Sequence, residues 1–220
     1  MTIIFLIYKE IMVRVKKPKF WSSAKKILKK KDKKLGKIID SYPNDFLFSK
    51  SEPFLTLARS IVGQQISVKA AQSVWDKLLL KTGNISPKVI KEMHSNTLKS
   101  VGLSRQKVSY LKNLSHAFIN KELKIDSWNT MNDEQIINDL IKIKGIGRWT
   151  AEMFLIFNLC RADVFPLDDI GVIKGICKIY SLKYPLEKKE LIKIGNKWRP
   201  FRSVATWYLW RSLDPIPVEY

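Results

Sequence analysis

Cysteine and histidine are scarce in this sequence, which has two residues of each among its 220. The two cysteines, Cys160 and Cys177, exclude a disulfide-rich fold and a four-cysteine zinc or iron–sulfur site. His94 and His116 are too few for a histidine-rich metal centre. No apolar run reaches the roughly 20 residues that a membrane-spanning helix needs. With 45% apolar residues, the chain can still build the core of one large or two small domains.

Acidic residues are also few, 20 against 40 lysines and arginines, which leaves a formal charge of +20. This excess predicts a polyanionic partner, most often nucleic acid, although a lysine-rich codon bias is an alternative explanation. Twelve basic residues lie between Arg14 and Lys37, with Asp32 as the one acid. We expect a solvated, loosely ordered arm that contacts phosphates there. The same run carries a helical apolar stripe, formed by Ala24, Leu28, Leu35, Ile38 and Ile39.

Alternating β-branched segments are nearly absent after residue 15, so the pattern predicts an all-α protein of roughly ten short helices. Ser67 is a good N-cap for one helix, and either Asn132 or Asp133 for another. Residues 1–15 form an uncertain extension. Their apolar stretch Ile3–Tyr8 is too short to span a membrane and lacks the features of a signal peptide. It fits a packed strand or an upstream start-codon artefact that would make Met12 the first residue.

A glycine turn, Gly145-Ile146-Gly147, separates an apolar helix that ends near Ile143 from a second helix. Glycines allow a sharp turn and leave room for a ligand to approach the backbone. The start of the second helix presents unpaired N–H groups and the positive end of the helix dipole, which suits a phosphate. Lys144 and Arg148 add positive charge beside it. A plain corner between two helices is the alternative interpretation.

Four further segments accompany this hairpin in the order Leu57–Ala71, Val101–Leu111, Asp163–Gly171 and Trp198–Trp210. In order and spacing the set resembles the helix–hairpin–helix (HhH-GPD) DNA glycosylases, closest to the DNA-3-methyladenine glycosylase II branch. The resemblance runs from about residue 40 to 212. It implies a hydrolase that removes alkylated bases of the 3-methyladenine type from duplex DNA and so starts base excision repair.

The resemblance also implies an all-α, two-lobed fold. One lobe would combine residues 16–52 and 165–220, and the other would comprise residues 53–164, with the hairpin at about 133–160. The extra N-terminal β-rich domain and the iron–sulfur cluster of some relatives are expected to be missing. We expect a monomer, in the cytoplasm (nucleoid-associated in a bacterium), with double-stranded DNA as partner and no membrane association.

Asp169 corresponds to the catalytic aspartate of the family, and we expect Asp168 to serve only as an N-cap. A fixed anion stabilises the positive charge that builds on deoxyribose as the N-glycosidic bond breaks, and it can also activate water. The residues proposed for the base pocket are Trp149, Trp210, Met153, Phe46 and Trp207, each of which could instead be core packing. A cationic alkylated base gains ~0.5–2 kcal/mol from stacking on an aromatic ring.

The resemblance assigns DNA contacts to the hairpin and to the turn after Leu57–Val62. This set consists of Gly145, Ile146, Gly147, Arg148, Lys144, Thr150, Gln64, Gln65 and Ser67. A flipped base leaves a gap in the duplex, and Gln65, or else Gln64, is expected to fill it. The resemblance further implies a Na⁺ or K⁺ ion held by the main-chain carbonyls of Ile141, Ile143 and Ile146, and no other cofactor is expected.

Bifunctional relatives, which also nick the strand, carry a lysine nucleophile where this chain has Trp149, so a monofunctional enzyme without lyase activity is expected. Two other functions stay open. One is a glycosylase for other damaged or mismatched bases, and the other is a non-enzymatic helix–hairpin–helix DNA-binding module. The resemblance does not rank 3-methyladenine, 7-methylguanine, ethenoadenine and hypoxanthine as substrates.

Overall fold

The computed structural model describes residues 17–48 and 52–214, and within these ranges the chain is helical, with no β-strand. The prediction of an all-α fold is confirmed, with twelve α-helices and one short 3₁₀ helix in the described ranges in place of roughly ten. None of the helices in these ranges is both long and apolar enough to cross a bilayer. The proposed extension, residues 1–15, lies outside the described part of the chain.

The helices are numbered in chain order. They are α1 Trp21–Lys31, α2 Lys33–Ser41, α3 Pro53–Gly63, α4 Val68–Thr82, α5 Pro87–Glu92, α6 Ser95–Ser100, α7 Arg105–Ile119, α8 Asp133–Leu140, α9 Arg148–Phe157, α10 Ile170–Tyr180, α11 Lys188–Asn196 and α12 Arg202–Leu213. The 3₁₀ helix is Ile125–Ser127.

Polar side chains begin several of these helices where the sequence predicted. The Ser67 hydroxyl accepts a 3.2 Å hydrogen bond from the Ala70 N–H at the start of α4. Of the two candidates before α8, Asn132 is the N-cap, and it forms a reciprocal capping box with Gln135. Such caps satisfy N–H groups that the helix leaves unpaired, at a gain of roughly 1 kcal/mol each.

The chain folds as two compact units. Among the described residues, one unit comprises residues 17–48 and 155–214, and the other comprises residues 52–154. The division falls inside α9, between Phe154 and Leu155, which is ten residues before the boundary at 164/165 that the resemblance implies. The first unit contains the aspartate pair, and the second contains the glycine hairpin.

Helix α12 is the centre of the first unit. Every residue from Ser203 to Arg211 is buried, and the helix packs against α1, α2 and α10. The Trp21 ring meets the Trp207 ring edge-on, with 5.4 Å between centroids. Because both indoles are almost completely covered, they anchor α1 to α12 through apolar burial.

From Trp21 onward the basic run is not the loosely ordered arm that its charge predicted, because this part forms helices α1 and α2. Arg14 and Lys16 lie outside the described residues. The apolar stripe within it is buried, with Ala24, Leu28 and Leu35 fully covered. Burial of this stripe stabilises the two helices, while the lysines lie on the outer face. The residue that joins the helices is Asp32, whose side chain caps α2.

In the second unit, α7 packs against α3, α5 and α6. Leu111 and Leu114 on α7 are fully buried, and Phe118 meets Phe54 of α3 edge-on at 5.3 Å between centroids. Helix α9 joins this core through Phe154, whose ring lies 5.0 Å from that of Trp128. These contacts hold α7 beneath the glycine hairpin, which is the first candidate site.

Candidate active site and nucleic-acid interface

The glycine hairpin joins α8 to α9 in the second unit. Helix α8 ends at Leu140, three residues earlier than its apolar pattern suggested. Two main-chain bonds then close the turn, from Ile143 N–H to the Leu140 carbonyl at 3.1 Å and from Ile146 N–H to the Ile143 carbonyl at 3.0 Å. Because α9 starts at Arg148 directly after the turn, its first N–H groups lie at the end of the hairpin.

The two glycines of the hairpin serve different purposes. Gly145 has φ +107°, and a Cβ there would lie 2.2 Å from Cγ of Tyr110, so neither the backbone nor the space accepts a side chain. Gly147 is exposed, and a Cβ at that position would meet nothing within 4 Å. Gly145 is therefore required by packing on α7, whereas Gly147 leaves open space at the start of α9.

The positive charge of Arg148 is balanced by two acids. Its guanidinium donates to Glu134, with one of the two hydrogen bonds at 3.0 Å, and to Glu152 at 3.2 Å. The hydrogen bond to Glu134 is the main reason why the pKa of Arg148 is raised, and the same bond lowers the pKa of Glu134. Of the two basic residues predicted beside the phosphate, Lys144 is exposed, and Arg148 instead ties α9 to α8.

Gln64, at the end of α3, is attached to the hairpin. Its side-chain amide donates to the Gly145 carbonyl at 3.0 Å and to the Thr150 hydroxyl at 3.1 Å. Thr150 is only 2% exposed, and its hydroxyl accepts the Gln64 hydrogen bond inside the second unit. Gln65, the next residue, is exposed and adopts a left-handed conformation with φ +58°. Ser67 is exposed and caps α4.

The carbonyls predicted to hold a monovalent cation lie along the same turn. Main-chain carbonyls are uncharged oxygen donors of the kind that replace the hydration shell of K⁺. The Ile143 carbonyl already accepts the Ile146 N–H and retains a second lone pair. Oxygen donors of this kind suit Na⁺ or K⁺, and a cation at Ile141, Ile143 and Ile146 stays a prediction. Across the described ranges, no cluster of three or more His, Cys, Asp or Glu side chains could hold a metal ion.

The aspartate pair lies in the first unit, before α10. Asp169, not Asp168, is the N-cap, because the helix begins at Ile170 and the cap is the residue before it. The expectation that Asp168 caps this helix is wrong. Asp168 is exposed and forms an ion pair with Lys188 at 2.7 Å. Asp169 is 7% exposed, and its Oδ1 atom accepts from the Val172 N–H at 2.7 Å.

A tryptophan provides a second donor to the same carboxylate oxygen. The indole N–H of Trp210 donates to Asp169 Oδ1 at 2.9 Å. The Trp210 ring in turn stacks on Phe157, with 5.7 Å between centroids and 12° between planes. Phe157 was not among the predicted site residues, because an apolar residue near the end of α9 looks like core by spacing alone.

The other predicted pocket residues differ in how accessible they are. Trp207 is 2% exposed and is covered by Trp21 and Tyr208, and Met153 is 1% exposed. Both contribute packing. Trp149 is half-buried. Phe46 is also half-buried, and the ammonium of Lys17 lies 5.4 Å from the centre of its ring.

Comparison with known proteins gives a consistent result. The family model described as "HhH-GPD superfamily base excision DNA repair protein" matches residues 58–200, a range that contains both the hairpin and Asp169. DNA-3-methyladenine glycosylase 1 of Schizosaccharomyces pombe is 33% identical over 184 residues, which cover 82% of this chain and 81% of that protein. The DNA-3-methyladenine glycosylase of Saccharomyces cerevisiae is 34% identical over 194 residues, covering 72% of this chain and 66% of that protein.

Solved structures with similar folds include the S. pombe 3-methyladenine DNA glycosylase in complex with abasic DNA. It superposes with a TM-score of 0.77 at 32% identity and covers 86% of this chain and 96% of that one. The DNA-3-methyladenine glycosidase of Bacillus halodurans superposes with a TM-score of 0.71 at 30% identity, with coverage of 91% and 92%.

Proposed function

The chain belongs to the HhH-GPD superfamily of base excision DNA repair proteins, and from this we propose that it is a DNA glycosylase that hydrolyses the N-glycosidic bond of alkylated bases in duplex DNA. The observation that carries the proposal is the setting of Asp169. Its carboxylate is held by two N–H donors, Val172 and Trp210, and Asp169 itself lies within residues 58–200, the segment that the family model matches.

Asp169 supplies the electrostatic part of the reaction. When the glycosidic bond lengthens, positive charge develops on the deoxyribose, and a carboxylate already held in place stabilises it without reorganising. Both observed donors are N–H groups, so the Asp169 carboxylate accepts hydrogen bonds from fixed positions on α10 and α12. The same carboxylate can orient or deprotonate the attacking water. Loss of one such group typically costs ~3–4 kcal/mol in the transition state.

The substrate class follows from the leaving group. An alkylated purine such as 3-methyladenine is cationic, so it leaves readily and needs little help from a general acid. Cationic rings stack favourably on indoles, by ~0.5–2 kcal/mol. Trp210, which stacks on Phe157, is the ring of the first unit that we propose for this contact. Within the second unit, the resemblance assigns the same role to Trp149.

DNA binding is proposed for the hairpin. The open position at Gly147 and the first N–H groups of α9 suit a backbone phosphate, and exposed Lys144 adds positive charge. The carbonyls of Ile141, Ile143 and Ile146 would hold a Na⁺ or K⁺ ion, which would offset part of the phosphate charge when bound. Gln65, exposed at the tip of the turn after α3, is the side chain that we propose fills the gap left by the flipped base.

We further propose a type II, monofunctional enzyme. An amine nucleophile is needed to form the Schiff base that precedes strand cleavage, and this chain has Trp149 at the hairpin position where bifunctional relatives carry lysine. The product is then an abasic site and a free base, with water as the only co-substrate. The protein would act as a monomer in whichever compartment holds the DNA, which in a bacterium is the cytoplasm.

Base release from methylated duplex DNA, identified by mass spectrometry, tests the proposal. We expect Asp169→Asn to lower the rate by about 10²–10³-fold while binding to abasic DNA persists, because asparagine also caps helices. Asp168→Asn is the matched control, since this neighbour is exposed and forms an ion pair with surface Lys188, and we expect near wild-type release. Equal rates for wild type and Asp169→Asn would reject the mechanism.

The same assay separates the alternatives. A wild-type protein that binds DNA and leaves no abasic sites would be a binding module. Release confined to oxidised or mismatched bases would indicate the other class of glycosylase.

A further inference from the structure

We propose that Gly171 is a positioning residue for the Asp169 carboxylate and acts through Trp210, an inference that rests on the proposed catalytic role of Asp169. Gly171 is the second residue of α10, and its φ does not lie in the left-handed region. Alanine is the better helix former at a position with such a backbone. The conformation of the chain therefore does not explain the glycine, and the explanation must come from its surroundings.

The space beside Gly171 is filled by the aspartate and the indole together. A Cβ added at Gly171 would lie 2.9 Å from Cδ1 of Trp210, 3.1 Å from its Nε1 and 3.0 Å from Oδ1 of Asp169. These are the atoms of the 2.9 Å hydrogen bond from Trp210 to Asp169, together with a neighbouring ring carbon. A methyl group at this position has to displace the indole, the carboxylate or both.

Neither group can move freely to make room. The indole is stacked on Phe157, which is only 2% exposed. The Val172 N–H donates to the carboxylate at 2.7 Å, and it binds the same oxygen atom, Oδ1, that Trp210 contacts. In a closely packed interior such groups move only at the expense of their other contacts. The absence of a side chain at residue 171 is thus what allows Trp210 to orient the carboxylate.

Gly175, one helical turn later, provides an internal control. A Cβ there would lie 2.9 Å from Cβ of Leu209 and 3.0 Å from the Leu209 carbonyl oxygen. Both glycines bring α10 close to α12, but only Gly171 borders the aspartate. The same Gly→Ala change at the two positions therefore separates general helix packing from positioning of the carboxylate.

A double-mutant cycle tests the proposal through single-turnover base release from methylated DNA. The variants are Gly171→Ala, Trp210→Phe, their combination, and Gly175→Ala. Phenylalanine retains a ring that can stack on Phe157 but has no N–H donor. We expect each of the first two changes to slow release ~10–100-fold, as a misplacement of about 1 Å can, with unchanged affinity for abasic DNA. Adding Gly171→Ala to Trp210→Phe should slow it less than threefold further, because the contact is already lost.

Gly175→Ala should lower the Tm and leave the single-turnover rate of the folded protein within about threefold of wild type. Three results would overturn the proposal: effects of Gly171→Ala and Trp210→Phe on the rate that multiply in the double variant, a wild-type rate in Gly171→Ala, or a Gly175→Ala variant as slow as Gly171→Ala.

The double variant also serves if Gly171→Ala alone does not fold, because its smaller phenyl ring leaves room for the methyl group. The comparison is then between Trp210→Phe and the double variant, and a tenfold difference in rate between them contradicts the proposal.

A measurement that does not depend on catalysis completes the test. The indole N–H resonance of Trp210, assigned by its loss in Trp210→Phe, should shift in Gly171→Ala and stay in place in Gly175→Ala. An unshifted resonance in Gly171→Ala overturns the inference while the proposed glycosylase function stands. If the wild-type protein releases no base, both the function and the positioning role are rejected.

Discussion

The side-chain amide of Gln64 donates a hydrogen bond of 3.0 Å to the main-chain carbonyl of Gly145, a residue 81 positions later in the chain. This bond ties the end of α3 to the glycine hairpin. The described contacts of this turn include no side-chain hydrogen bond from the following residue, Gln65. Gln65 is exposed and has a left-handed backbone conformation with φ +58°. Gln64 thus holds the protein's own structure together, whereas the role that we propose for Gln65 is in binding DNA.

Substitution of the two glutamines should separate these functions. Gln64→Ala removes two hydrogen bonds and should lower the free energy of unfolding by about 1–2 kcal/mol. It should also lower the affinity for DNA, because these bonds hold the hairpin. Gln65→Ala should change stability by less than about 0.5 kcal/mol and slow base release from a paired lesion. The defect should shrink when the lesion lies in single-stranded DNA, since no gap then needs filling. A Gln65→Ala defect that is equal on both DNA forms would remove Gln65 from the wedge role.

Gly147 offers a clean probe of the phosphate site. Because a Cβ added there would meet nothing within 4 Å, we expect Gly147→Asp to fold and to place a negative charge at the start of α9. We expect about tenfold weaker binding to DNA of any sequence, and a salt dependence reduced by about one phosphate contact. Gly147→Asn is the control of equal size. If Asp and Asn variants bind equally, the hairpin does not contact a phosphate.

Gly145 is unsuitable for the same experiment. Any side chain there collides with Tyr110 and sits at φ +107°, so Gly145→Ala should lower the free energy of unfolding by more than about 2 kcal/mol. Chemical denaturation measures this directly. A Gly145→Ala protein as stable as wild type would show that α7 and the hairpin are not packed as described.

Asp32 should be a main source of stability in the first unit. It is 7% exposed, and it accepts hydrogen bonds from the Leu35 and Lys34 N–H groups at 3.0 Å, from the Trp198 indole at 2.8 Å and from the Tyr180 hydroxyl. Asp32→Ala would leave these donors unpaired and should cost about 2–4 kcal/mol. Tyr180→Phe, which removes one donor only, should cost about 1 kcal/mol.

The same residue makes stability depend on pH in the acid range. Burial alone would raise the pKa of Asp32, but the hydrogen bonds from Tyr180, the Leu35 N–H, Trp198 and the Lys34 N–H together hold it below its usual value. The unfolded chain therefore binds the proton more readily than the folded protein. The stabilisation is present above about pH 5 and is lost as the pH falls through the folded-state pKa. Unfolding of Asp32→Asn should depend less on pH below pH 5, and an unchanged profile would exclude this contribution.

Trp207 and Trp149 should respond in opposite ways to truncation. Trp207 is packed against Trp21 and Tyr208, so Trp207→Ala should cost about 3–5 kcal/mol of stability. Trp149 is half-buried, and we expect Trp149→Ala to slow the release of cationic bases more than it lowers the Tm. Calorimetry and single-turnover assays on both variants distinguish these outcomes. A loss of release in Trp149→Ala that matches its unfolded fraction would argue against a role in the base pocket.

Short-range patterns in the sequence were enough to predict the helical fold, the cap at Ser67, one of two candidates for the cap before α8, and the family, although the cap expected at Asp168 was wrong. Ser67 and Asn132 are caps because a side chain three residues from an N–H group can reach it. The glycine hairpin was visible because glycine marks a turn wherever it interrupts a helical stripe. The helix after Asp169 starts where the apolar spacing begins.

Contacts between distant residues were decided only by the tertiary structure. The basic run was predicted to be solvated because its many charges lie close together in the sequence. The residues that hold it in place are distant in the sequence: Asp32 accepts a hydrogen bond from Trp198, 166 positions later. The pairing of Arg148 with Glu134, the hold of Gln64 on Gly145 and the fit of Gly171 beside Trp210 have the same origin. The sequence shows the charge and size of each side chain. Which distant group neutralises that charge, or occupies the space beside it, depends on how the helices pack.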